Sequence, residues 1–343
     1  MKIQPKHQAF AYRFQAFLTV FIALQTVAIA QIFPNLGGQR AGISAMTFLK
    51  NELSPRAVAM GGAAMALPGD GFAMGLNPAA ATGIDYPNVS LSSRTLTAGL
   101  YQSYLGAMLP MANKSTLMVS MNYISSGYQK RRTEFQPFGD GTSYSSNAWK
   151  LGLGYSKSLS KMFSFGVNVN LLRENLAQYG VTAASVDLGF LYRTDWKDLS
   201  FAVTLRDFGV NSTISGSELA VGYNRPNGVQ PESYGAPTLF AMGISIVPLK
   251  IDQHQILAAF QLNHPNDNAE NLRLGAEYCF DSLLFVRAGF KINVPGEHLA
   301  FGAGVKSRIG AFPFRIEATA MPNTYLGWQY ILGVSIGFIK PGQ

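Results

Sequence analysis

The chain has 343 residues and a formal net charge of +8, yet only 13% of its residues are charged, about half the share usual in a soluble globular protein. Thirty-five glycines, 23 Phe and 15 Tyr accompany that shortage of charge. This suits an all-β protein with an apolar band facing lipid, and disfavours a soluble β-sandwich, whose exterior needs more Lys and Glu. The lone cysteine, Cys279, excludes an intrachain disulfide, so a secreted chain must be stabilised in some other way.

Residues 1–30 read as a secretory signal peptide. Lys2, Lys6 and Arg13 give a positive start, "FLTVFIALQTVAIA" an apolar run, and Ala28-Ile29-Ala30 a small-x-small cleavage pattern before Gln31. The run is too short for a membrane anchor, and no cysteine follows the cleavage site as a lipoprotein would require. Cleavage there lowers the formal net charge from +8 to +5.

Residues 31–86 form the next segment, and "RAVAMGGAAMALPGDGFAMGLNPAAA" (56–81) is its core. It is too rich in glycine for a stable helix and too apolar for a solvated linker, with Arg56 and Asp70 as its only charges. Gly61, Gly62, Gly69, Gly71 and Gly75 permit turns and close backbone approach. Asn77-Pro78 fixes a turn and keeps Asn77 out of the helical region. Residues 31–86 are expected in the periplasm or inside the barrel, with the 56–81 stretch folded inward as a plug, because a barrel of about fourteen strands leaves a lumen that a chain segment can fill.

Residues 87–343 alternate with a period of two, the mark of strands with two different faces. Trp149, Leu151, Leu153 and Tyr155 oppose Lys150, Gly152, Gly154 and Ser156, and Phe163 to Leu171 and Trp328 to Phe338 repeat the pattern. Strands are expected near 88–100, 102–111, 115–126, 147–157, 162–173, 183–194, 199–209, 237–249, 254–264, 270–280, 283–293, 298–308, 313–321 and 327–338, most close to the roughly nine to eleven residues that span a bilayer. The second face carries Gly, Asn, Ser and isolated charges: Lys150, Arg193, Arg206, Arg273, Glu277, Arg287, Lys291, Arg315 and Glu317. Large residues toward lipid and polar ones toward a lumen describe a transmembrane antiparallel β-barrel of about fourteen strands. Short connections such as "ANK", "SLSK" and "DS" alternate with longer gaps at 128–146 and 210–236, the asymmetry of periplasmic turns and outer loops in bacterial outer-membrane barrels. An even strand count leaves both termini periplasmic. Such barrels commonly end on an aromatic; here Phe338 is followed by "IKPGQ".

"FLKNELSPRAVAMGGAAMALPGDGFAMGLNPAAA" resembles the N-terminal signature of the PorV/PorQ family, carried by Arg56, Gly61, Gly62, Asp70, Asn77 and Pro78. A single Asp70 stands where that family often has an acidic pair, and the mature chain is short for a PorV proper. "NLRLGAEYCF", "LFVRAGFKIN" and "LAFGAGVK" look like late strands of PorV-type proteins, so the resemblance spans nearly all the mature chain. It implies a FadL-like barrel of the Bacteroidetes type IX secretion system. The implied role is binding the C-terminal domains of secreted cargo and subunits of the translocon or attachment complex.

No catalytic constellation is present. His254, His264 and His298 lack metal-ligand spacing, no G-x-S-x-G occurs, and "GDG" at 69–71 and 139–141 is turn chemistry. No enzyme, cofactor, metal or nucleic-acid partner is therefore expected. Partner contact is expected at the outer loops, where Arg131 and Arg132 neighbour Phe135 and Phe138, and Tyr223, Arg225 and Tyr234 sit together. Two other functions fit a barrel: a FadL-like transporter of hydrophobic small molecules gated by the plug, and a porin with anion preference from its inward Arg and Lys.

Overall fold

The computed structural model describes residues 42–216 and 232–339. The expected signal peptide, Tyr223 and Arg225 lie outside the described residues. Fourteen strands form one closed antiparallel barrel. They are β1 (Asn88–Thr95), β2 (Tyr101–Met111), β3 (Ser115–Lys130), β4 (Ser143–Ser158), β5 (Phe163–Leu176), β6 (Tyr179–Arg193) and β7 (Ser200–Gly209). The second half comprises β8 (Leu239–Ile251), β9 (His254–Pro265), β10 (Asn271–Phe280), β11 (Leu284–Ile292), β12 (Leu299–Ile309), β13 (Phe312–Asn323) and β14 (Gly327–Gly337). Each strand pairs with its chain neighbours, and β14 returns to β1 from Asn88–Gly337 to Arg94–Ile331, so the sheet has no free edge.

The expected alternation sets the two faces. Leu151, Leu153, Val169, Val286, Trp328 and Leu332 point outward and are exposed, while Ser120, Asn168, Asp187, Gln261, Glu277 and Arg287 point inward and are buried. Outward aromatics gather toward the ends: Trp328 stacks on Tyr330 near one rim, and Phe312 meets Phe338 edge-on near the other. Flanking aromatic girdles are a feature of spanning barrels.

All fourteen strands fall where the alternation puts them, with three differences at their ends and one in a loop. β1 stops at Thr95 rather than running to residue 100, because Ala98 turns left-handed (φ 60°) inside a short 3-10 turn. The apolar rhythm of Leu96 and Leu100 hides that break. β3 and β4 extend their hairpin well past the expected ends, so the first long loop shrinks to residues 131–142. β5 and β6 are joined by Ala177 and Gln178 alone, so not every connection at the loop rim is long. The 210–236 loop carries a small two-stranded ribbon in which Ser212 pairs with Tyr234.

The turns after β2, β4, β6, β8, β10 and β12 are short and share one rim, where β1 begins and β14 ends. We call this the turn rim and the opposite end the loop rim.

Candidate functional site

Residues 44–86 fill the barrel. The backbone of Ala45 donates to Gly235 O at the loop rim (3.0 Å), and the chain then descends to β1 at the turn rim. A 3-10 turn (Thr47–Lys50) is followed by α1 (Pro55–Ala59), α2 (Ala73–Leu76) and a second 3-10 turn (Pro78–Gly83). None exceeds six residues, as the glycine content requires. Local capping shapes them. Ser54 Oγ accepts from Ala57 N at the start of α1 (3.2 Å) and donates to Asp70 Oδ2 (3.1 Å), tying the two arms of the plug together. Asn77 holds an extended backbone (φ −152°), and its Oδ1 accepts from Ala79 N (3.0 Å). Its amide donates to Met65 O (3.0 Å) and to Phe190 O of β6 (3.2 Å).

The plug rests on glycines of the wall. A Cβ at Gly289 would land on the Gly61 nitrogen, one at Gly166 on the Pro78–Ala79 peptide, and one at Gly189 on Asn77 Oδ1. At Gly302 it would meet Ala59, at Gly333 Pro55, at Gly275 Met60, and at Gly243 Met65. Gly61 and Gly62 themselves adopt positive φ (66° and 88°), which a side chain would resist. On alternation these wall glycines read only as part of a small, polar inner face. Their recurrence at inward parity was the available signal, since a strand glycine marks close approach of another backbone.

The polar inner wall bonds the plug's irregular backbone. Ser92 donates to Leu53 O (2.6 Å), Thr319 to Pro55 O (2.7 Å), Ser245 to Ala66 O (3.1 Å), Asn168 to Met74 O (2.9 Å) and Arg206 to Gly75 O (2.9 Å). Gln102 donates to Phe48 O (3.1 Å) and Thr116 to Ala81 O (3.3 Å). With Phe72 against Tyr104 (5.4 Å between ring centroids), Met65 N on Gln261 (3.4 Å) and Met74 beside Gly152, every one of the fourteen strands touches the plug. Buried backbone needs such partners, and inside the barrel the polar inner wall supplies them.

Ion pairs add a second fastening. Arg56 Nε and Nη2 donate to the two oxygens of Glu277 (2.9 and 2.6 Å), and Arg287 Nε donates to the same carboxylate (2.5 Å). Arg287 also pairs with Glu317 (2.8 Å), which Arg315 approaches at 3.9 Å. Lys150 bridges Asp187 (3.3 Å) and Asp207 (2.6 Å), and Lys291 holds Glu297 (2.5 Å). Arg193 is half-buried at the turn rim. Glu52 and Asp207 went unread in the sequence. Asp207 faces inward beside Arg206 because a bulge (φ 54°) breaks the alternation of β7, and its N–H donates to Asp187 (2.7 Å).

Glu52 Oε1 accepts from Arg206 (3.3 Å) and Arg273 (3.5 Å). Burial alone would raise its carboxyl, but Arg206, Arg273 and Lys291 outweigh this and hold it below its ordinary 4.5. A depressed carboxylate contributes stability that is complete above the unfolded value and lost as pH falls through the folded one. The protection of amides at residues 47–53, taken relative to their intrinsic exchange rates at each pH, is therefore expected to stay level from neutral pH down to about 4.5 and to fall only below it. Loss of protection already at pH 6 would show that Glu52 does not fasten this end.

The fold has known counterparts. No known family profile matches the sequence, and no curated protein matches it. Among solved structures, the monoaromatic hydrocarbon channel CymD superposes with a TM-score of 0.55 at 12% identity, over 84% of this chain and 98% of its own. The toluene transporter TodX of Pseudomonas putida superposes with a TM-score of 0.54 at 11% identity, over 88% and 100%. The fold is the FadL-like barrel. At this identity the likeness extends to architecture only. No group of three or more metal-binding side chains occurs among the described residues.

Two cavities flank the plug in this barrel. One of about 380 Å³ at the turn rim is lined by Arg56, Gly69, Gly83, Glu277, Lys306 and Arg315. The other, about 410 Å³, lies at the loop rim above Leu49 to Glu52. Beyond the rim, Phe135 and Phe138 stand 94% and 91% exposed on the 131–142 loop, with Arg131 paired to Asp140 (3.5 Å) and Arg132 exposed. Tyr234 is exposed on the ribbon and donates to Glu232 (2.9 Å).

Proposed function

We propose that this protein is a sealed barrel of the bacterial outer membrane that acts through protein partners at its outer mouth, as a PorV/PorQ-like component of type IX secretion. The observation that carries this reading is the plug, fastened to all fourteen strands by wall hydrogen bonds, buried ion pairs and glycine seats. A lumen occupied in this way suits a scaffold better than a conduit, so function falls to surfaces. The signature residues support it: Arg56, Gly61, Gly62, Asp70, Asn77 and Pro78 each fasten the plug to itself or to the wall. In this reading the turn rim and both termini face the periplasm. Phe135 and Phe138 on the loop rim offer the aromatic anchors that protein contacts use.

The test is mild-detergent purification from the native outer membrane with mass spectrometry of what accompanies the barrel. Secreted proteins sharing a C-terminal domain, or a very large translocon subunit, are the expected companions. Replacing Phe135 and Phe138 together by Ser is expected to lower their recovery about tenfold, the scale of losing an aromatic hot spot, with the barrel intact. Equal recovery from that variant would remove the loop from the account.

A second reading, a FadL-like transporter of hydrophobic small molecules, is favoured by the fold shared with CymD and TodX. The charged inner wall weighs against it, since such a substrate needs an apolar passage. Uptake of a labelled hydrophobic solute that depends on this protein would establish that reading.

A further inference from the structure

The cavity at the loop rim is more cationic than its fastening role requires. Three acids line it, and each already has a cation: Lys50 holds Asp267 (2.5 Å), Lys291 holds Glu297 (2.5 Å), and Arg206 and Arg273 share one oxygen of Glu52. Arg94 also lines the cavity and is 3% exposed, yet it has no carboxylate within ion-pairing distance among the described residues. Its Nη1 donates to Glu52 O (3.1 Å) and its Nη2 to Gln329 Oε1 (2.6 Å), both neutral acceptors, while its Nε has no partner. Arg206 Nε is likewise buried and unpartnered.

Glu52 and Glu297 are the carboxylates nearest Arg94, but both are held by other cations. Burying a guanidinium with no carboxylate in contact is costly, and a native site that does so is usually completed by something else. We propose that this cavity binds the carboxylate of a polar ligand, with Arg94 as its charge partner and Arg206 alongside.

Three observations set the ligand's chemistry. A guanidinium fork matches the two oxygens of a carboxylate. Glu52 shows that these wall cations accept a carboxylate here, and at 3.3 and 3.5 Å its bonds are longer than the 2.7–2.9 Å of a tight charged pair, so the forks are not saturated. Asn268 and Asn293 at the lip add amide groups suited to a polar body. A cavity of about 410 Å³ is in the range that takes a small ligand or the last residues of a chain. The site is independent of the secretion reading, because it is defined by the purified barrel alone.

The test is titration calorimetry on the full-length barrel in detergent with three probes: citrate, a short glycine-rich peptide ending in a free carboxylate, and the same peptide amidated. At least one of the first two is expected to bind, and Arg94→Gln is expected to weaken it at least about tenfold, the scale of a lost charged hydrogen bond. Citrate alone would mark a free polar carboxylate as the ligand; the acid peptide, losing affinity on amidation, would mark a chain terminus. Should Arg94→Gln fail to fold, the exposed Asn268→Asp places a repelling charge at the lip and is expected to weaken binding in the same direction. Failure of both acidic probes to bind, binding by both variants as tight as by the unmodified barrel, or an amidated peptide that binds as tightly as a binding acid peptide would overturn the proposal.

Discussion

A Gly289→Leu variant is expected to fold as a barrel but lose its plug from the wall, turning a tight vesicle protein into a leaky one. The Gly289 α-carbon faces the Met60–Gly61 peptide so closely that even a Cβ would fall on backbone atoms. The obstacle is backbone on both partners: Gly61 sits at φ 66° in a turn, and a Cβ on it would in turn meet the backbone of Phe290 and Leu274 in the same stretch of wall. Overpacking a filled interior costs roughly 1–3 kcal/mol, and the cost is larger where the obstacle is backbone. The strand pairing of β11 points away from this contact, so the wall survives while the plug is displaced. Release of a small charged dye from proteoliposomes measures this, with heat-modifiable migration on gels reporting the barrel. Gly75→Ala is the control: its Cβ would find only Tyr104 at 4.0 Å, and alanine favours the helix there, so the variant should remain tight. A tight Gly289→Leu barrel would mean that the plug does not rest on that glycine.

The second large effect is expected from Glu277→Gln. This carboxylate serves two buried guanidiniums, Arg56 from the plug and Arg287 from β11. Buried ion pairs add little net stability over an apolar filling, but removing one partner strands the other's charge, at about 3–5 kcal/mol. The stranded group here is Arg56, so the loss should localise to the plug, with hydrogen exchange across residues 55–67 accelerating while strand amides stay slow. Pairing the change with Arg56→Met should recover much of the protection, because the uncompensated charge then disappears. If the double variant were as loose as the sum of the singles, the two residues would not be coupled and the pair would not fasten the plug.

Much of this was legible from the residues alone. The fourteen strands were readable because the lipid face keeps large residues such as Leu151, Leu153 and Leu332 in strict alternation, a constraint imposed by the bilayer on every strand. Features that break the rhythm were not readable. Ala98 ends β1 within an apolar run, and the bulge at Asp207 turns two successive residues inward, so the Lys150–Asp187–Asp207 cluster could not be placed from parity.

The plug was readable as a segment, since nothing else explains so apolar a glycine-rich stretch. Its fastenings were not, because Glu52 with Arg206 and Arg56 with Glu277 join positions more than a hundred residues apart. The inner charges are a case of right placement with incomplete meaning. Lys150, Arg206, Arg273, Glu277, Arg287, Lys291, Arg315 and Glu317 lie on the inner wall, but instead of lining an open, anion-preferring pore most are bound to the plug or to one another.

The central claim is that residues 44–86 close the lumen as a fixed part of the structure. Planar-bilayer recording of the purified, unmodified protein tests it most directly. The account predicts membranes that carry inserted barrel, shown by later opening on urea treatment, yet no steady conductance before it. A large, steady conductance from the untreated protein would contradict the account and restore the porin reading.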